Sequence, residues 1–73
     1  MDKEEIEQLY EQFPLMIRMN DGKEYVVDSL KDITCALNYA YVLYRDETGR
    51  LRSVLLPYVS MSAVVPDYHA AAG

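Results

Sequence analysis

Apolar positions recur every three to four residues at the start of this chain and again at Ile33, Ala36, Leu37 and Ala40, and alternate one by one along most of the rest. Ile6, Leu9, Tyr10 and Phe13 fall at i, i+3, i+4 and i+7, which is one face of a helix. Asp2 is placed to cap it, and Glu5 follows three residues later as in a capping box. Pro14 stops it. The spacing predicts a helix over residues 2–13. A helix this short is marginal in water, so its apolar stripe must dock, either on the domain's own core or on a partner.

From Leu15 the period changes to two. Leu15, Ile17 and Met19 alternate with Met16, Arg18 and Asn20, predicting a half-buried strand. Asp21-Gly22 then signals a hairpin of type I′, whose two central residues need positive φ. Lys23–Asp28 is the return strand, with Tyr25 and Val27 on one face. Ser29 with Asp32 resembles a second capping box, and a helical turn is expected near Leu30–Ile33. A full second helix over residues 30–37, giving an α+β fold, is the alternative. A long strand is expected through Cys35–Arg45, because Tyr39 to Tyr44 is strongly β-prone. Asp46–Arg50 reads as a hairpin loop, Leu51–Leu56 as a fourth strand ended by Pro57, and Met61–Val65 as a fifth closed by Pro66. The pattern is mainly β: one domain over residues 1–66, with an N-terminal helix and a strongly bent, five-stranded antiparallel small barrel. Residues 67–73 show no packing pattern and are expected to form a mobile tail.

The chain's 73 residues bound how much of this can be hidden. A domain of this size buries only about 60% of the surface its unfolded chain exposes. Small domains often add disulfides, a metal or self-association. Cys35 is the only cysteine, so no disulfide forms within one chain, and a lone thiol fits a reducing, cytoplasmic setting. A buried, inert thiol is the plain expectation for it. Its alternative, a nucleophile with His69 as base, needs the tail to fold back. With His69 the single histidine, no metal-ligand spacing can be drawn, and no glycine-rich phosphate loop is present. No cofactor is expected. Asp21, Glu24, Asp28 and Asp32 read as a solvated face around the first hairpin.

Twelve Asp plus Glu against seven Lys plus Arg give a formal charge of −5, which disfavours nucleic acid. Arg45, Arg50 and Arg52 cluster, but among Asp46 and Glu47. The acidic start, Met-Asp-Lys-Glu-Glu, is unlike a secretory segment. Ser53 to Pro66 carries no charge, yet it is shorter than the roughly 20 residues that span a bilayer. Membrane insertion is not expected. Since strand side chains alternate, a core takes about half of that stretch, and the remainder faces outward or lies on an edge that invites another chain. Seven tyrosines point the same way, because tyrosine suits surfaces that are apolar yet wet. Tyr39, Tyr41, Tyr44, Val54, Leu56, Tyr58, Met61 and Val64 are the candidate oligomer or partner interface.

One helix, five short strands and a proline break before the last strand resemble the Sm-like family, including its Hfq-like branch, within the wider SH3-like barrels. Ser62-Ala63-Val64-Val65-Pro66 is similar to the end of that family's last strand. The resemblance implies pairing of the fifth strand of one subunit with the fourth of the next, here Met61–Val65 with Leu51–Leu56. The family's RNA-contacting Tyr-Lys-His falls on Pro57, Tyr58 and Val59, so that role does not carry over. The chain also resembles short uncharacterised bacterial proteins that run IRMNDGKEY and LLPYV, here Ile17–Tyr25 and Leu55–Val59. The expectation is a non-enzymatic, cytoplasmic interaction or self-assembling module, a homo-oligomer with a possible protein or peptide partner. An Sm-like RNA-associated protein using another surface, and a small enzyme using Cys35, are the alternatives.

Overall fold

The computed structural model describes residues 2–69. Its one α-helix, α1, runs Lys3–Glu7. Asp2 caps it: the Glu5 backbone N–H donates to the Asp2 carboxylate at 3.0 Å. The helix is shorter than the spacing predicts. After Glu7 the chain tightens into i→i+3 bonds, Leu9 N–H to Ile6, Tyr10 N–H to Glu7 and Gln12 N–H to Leu9. The apolar stripe still docks inward. Ile6 is fully buried, and Tyr10 and Phe13 pack against the core.

Six strands follow: β1 Leu15–Met19, β2 Glu24–Val27, β3 Ile33–Cys35, β4 Tyr39–Arg45, β5 Leu51–Pro57 and β6 Met61–Val65. They form two antiparallel three-stranded sheets, ordered β2-β1-β6 and β3-β4-β5. The fold is thus mainly β as expected, but with six strands rather than five, and without a closed barrel among the described residues. No second helix forms over residues 30–37; a single 3₁₀ turn, Leu30–Asp32, joins β2 to β3.

The extra strand arises because the expected long strand folds back on itself. Cys35 pairs with Ala40, and the Ala36 N–H donates to the Tyr39 carbonyl at 2.8 Å, leaving Leu37 and Asn38 at the bend. Tyr58, in the 3₁₀ turn Tyr58–Ser60 that joins β5 to β6, clamps this bend twice. Its backbone N–H donates to Asn38, and its hydroxyl donates to the Ala36 carbonyl.

Two hairpin loops share one design. In the first, the Gly22 N–H donates to Met19 and the Met19 N–H to Lys23. In the second, the Gly49 N–H donates to Asp46 and the Asp46 N–H to Arg50. Only the glycine of each is at positive φ, 89° at Gly22 and 82° at Gly49. These are three-residue loops with glycine in the left-handed position, so Asp21-Gly22 turns the chain as expected but not as type I′. Asp21 and Asp46 brace their own loops by accepting from the backbone N–H two residues on.

The core gathers Ile6, Ile17, Val27, Val42, Leu56 and Tyr58 with their neighbours between the sheets. At the far end of β6 the chain is tied back. Asp67 N–H donates to Gln12 at 2.7 Å and Tyr68 N–H to Pro14 at 2.9 Å. The rest of the expected tail, residues 70–73, lies outside the described residues. Among those described, no helix is long and apolar enough to cross a membrane.

Candidate interaction surface

β4 and β5 pair in unbroken register from Tyr39↔Pro57 to Arg45↔Leu51. Hydrogen bonds flanking this ladder fix its alternation: Asp46 N–H to Arg50 on one side, Tyr58 N–H to Asn38 on the other. The hydrogen-bonded rows are therefore Ala40/Leu56, Val42/Val54 and Tyr44/Arg52, and the intervening rows are not bonded across the pair. Ala40, Val42 and Leu56 point into the core. The rows Tyr39/Pro57, Tyr41/Leu55, Leu43/Ser53 and Arg45/Leu51 share the opposite, outer face.

This outer face is apolar. Tyr39 and Tyr41 are 41% and 43% exposed, Leu55 and Leu51 56% and 57%. Beyond the last row, Leu37 in the bend and Val59 in the 3₁₀ turn are 81% and 87% exposed. Of the nine large apolar side chains exposed among the described residues, four, Tyr39, Tyr41, Leu51 and Leu55, lie on this face. Isolated exposed apolar residues are ordinary, whereas contiguous apolar patches larger than a few hundred Å² are uncommon on monomers. The outer rows from Tyr39/Pro57 to Arg45/Leu51 carry no carboxylate, although the chain has twelve, and their only charge is Arg45.

β5 adds a second feature. It ends its sheet, so its other edge has no strand beside it among the described residues. The N–H groups of Leu51, Ser53 and Leu55 belong to rows not bonded to β4 and point to that edge. An open groove of about 300 Å³ runs there, with Val54, Leu55, Leu56 and Pro57 on one wall and Met19, Asn20 and Tyr25 on the other. β6 likewise ends the other sheet.

The structure divides the residues singled out from sequence. Tyr39 and Tyr41 are on the outer face. Tyr44 points the other way and meets Tyr25 edge-on, ring centroids 4.8 Å apart. Val54 and Val64 are half-buried against the core. Leu56, Tyr58 and Met61 are buried core residues of this chain, not surface ones: Leu56 in an inward row of β5, Tyr58 in the clamp and Met61 at the start of β6. Leu37 and Val59 were not singled out, and Leu51 and Leu55 only as part of the strand Leu51–Leu56. Their signal is the phase of alternation, which Leu55-Leu56 conceals by being apolar on both sides.

The sites with nominal chemistry resolve into structural roles. The half-buried Cys35 sulfur accepts from the Tyr10 hydroxyl at 2.9 Å, which ties the N-terminal segment to β3. Burial, and then the neighbouring Cys35 sulfur, hold the Tyr10 and Tyr58 hydroxyls well above the ordinary tyrosine range. His69 is exposed, and among the described residues no cluster of His, Cys, Asp and Glu is arranged to hold a metal. Within the acidic group, Asp21 braces its loop, Glu24 pairs with Arg18 at 2.8 Å, and Asp32 accepts from the Ser29 hydroxyl. Arg52 pairs with Asp46 at 2.8 Å. Comparison with family models, curated proteins and solved structures finds no match to this chain.

Proposed function

We propose that this protein is a non-enzymatic interaction module that self-associates, and that β5 is its working element. One observation carries the reading: β5 combines a free edge with outward leucines on a face holding four of the nine large apolar side chains exposed among the described residues. A short chain that leaves so much apolar surface wet gains by covering it. The edge of β6 offers a second docking line, since Met61–Val65 is uncharged. Unguarded edges accept strands from other chains, and neither β5 nor β6 directs a charged side chain inward to prevent it, apart from Arg52, which Asp46 holds. A cytoplasmic setting fits the single thiol.

Size-exclusion chromatography with light scattering, run from low micromolar to millimolar concentration, tests the reading. The mass should rise above that of the monomer as concentration increases. A monomer throughout the range removes it.

A further inference from the structure

We infer that the free edge of β5 binds an extended, uncharged or basic segment of a different protein, which adds to β3-β4-β5 as a fourth, antiparallel strand. This goes beyond self-association: the site lies on the edge, not on the outer face, and needs no second copy of the chain.

The edge itself names the occupant. The N–H and C=O groups of Leu51, Ser53 and Leu55 belong to rows not bonded to β4, so they leave the sheet sideways. Such groups recur every second residue, ~7 Å apart, a repeat that another extended backbone matches with its own donors and acceptors. A recess for side chains accompanies them. The groove of about 300 Å³ opens along this edge, with Val54 and Leu56 on the β5 side and Met19 and Tyr25 opposite. In strand addition, backbone bonds supply affinity and such recesses supply choice.

Alternation then fixes the chemistry of the segment. Three of its residues stand opposite Leu55, Ser53 and Leu51 and exchange bonds with them. The two between stand opposite Val54 and Arg52 and share their side of the sheet. The one opposite Val54 enters the groove and is apolar. The one opposite Arg52 is short and polar, because Asp46 already holds that guanidinium at 2.8 Å. On the other side, two leucines flank a serine, which suits apolar, hydroxyl and apolar partners in turn. From its N-terminus the segment reads apolar, apolar, hydroxyl, polar, apolar. Acidic residues are excluded by the −5 of the chain, and a neutral or basic segment meets less repulsion than a second copy.

The acetylated and amidated peptide Lys-Leu-Val-Thr-Thr-Leu-Lys is the probe, titrated to millimolar concentration into isotope-labelled protein and followed by nuclear magnetic resonance. The largest amide shifts should fall at Leu51, Ser53 and Leu55, with smaller ones at Met19 and Tyr25. N-methylation of the three peptide residues that meet Leu51, Ser53 and Leu55 should abolish binding. N-methylation of the two between them should leave it within about threefold, since their N–H groups point away from β5. Ser53→Pro removes one edge donor and no bond to β4, and should weaken binding ~10-fold or more. The methylated peptides decide the matter without a variant should Ser53→Pro fail to fold. Equal binding by both methylated peptides overturns the site. So do shifts centred on Tyr39 and Tyr41 or on Glu24–Val27, and so does no binding at millimolar peptide. The same β5 shifts on concentrating the protein alone, unchanged by peptide, assign the edge to a second copy and overturn it too. A mass that never rises with concentration removes self-association and leaves this site standing.

Discussion

The Tyr58 hydroxyl donates to the carbonyl of Ala36, 22 positions earlier in the chain, and so joins the turn after β5 to the bend between β3 and β4. The carbonyl it satisfies is half-buried. Replacing Tyr58 with Phe keeps the ring in the core and strands that acceptor, which should lower stability by about 1–3 kcal/mol. Urea unfolding at neutral pH measures it; an unchanged midpoint would show that water takes over the bond.

Leu55 and Leu56 are neighbours in sequence and opposites in the fold, one 56% exposed and the other 3%. Leu56→Ala should cost the monomer about 2–5 kcal/mol, the range for an emptied core site. Leu55→Ala should change it by no more than about 0.5 kcal/mol. Denaturation at low micromolar concentration, where association does not contribute, separates the two. Equal losses would mean that the register of β5 is shifted.

Asp46 organises the loop between β4 and β5. It accepts from the Thr48 backbone and hydroxyl, the Arg50 backbone and Arg52. The Thr48 hydroxyl first, and then the Arg52 guanidinium, hold its carboxyl well below the usual range. A depressed folded-state pKa gives stability that is complete above the unfolded value and lost as pH falls through the folded one. The advantage of wild type over Asp46→Asn should therefore be constant from pH 7 to about pH 5 and shrink below the unfolded pKa of about 3.9. Urea midpoints of both proteins between pH 7 and pH 3 test this, and a gap that widens in acid would refute it.

With α1 only five residues long, its cap is a large share of its stability. Asp2→Ala removes the bond to the Glu5 N–H and should cost about 1 kcal/mol. Hydrogen exchange should show the loss as faster exchange at Glu5, with β1 unaffected.

What could be read from sequence follows where the fold is held by neighbours. Leu15–Val27 was legible because alternation and Asp21-Gly22 act within a few residues of each other. The last strand was legible because Pro57 and Pro66 bracket it. The bend at Leu37-Asn38 was not, since it holds neither glycine nor proline and its restraint comes from Tyr58, far along the chain. α1 stops early for the same kind of reason: packing of Tyr10 and Phe13, with the Tyr10–Cys35 bond, outweighs helical periodicity. At the candidate surface, Tyr39 and Tyr41, singled out for their residue type, are exposed, while the inward phase of Leu56, Tyr58 and Met61 depends on pairing that no local pattern states.

Pro57 closes β5 within the strand itself, opposite Tyr39 in a row that asks no N–H of it. Its ring therefore occupies the open side, where a donor would otherwise stand. Any strand laid along β5 finds three successive donors and then a blank, so sliding toward that end gains nothing. A single imino acid thus works as a stop on a ruler, fixing how far along this molecule a newcomer can read.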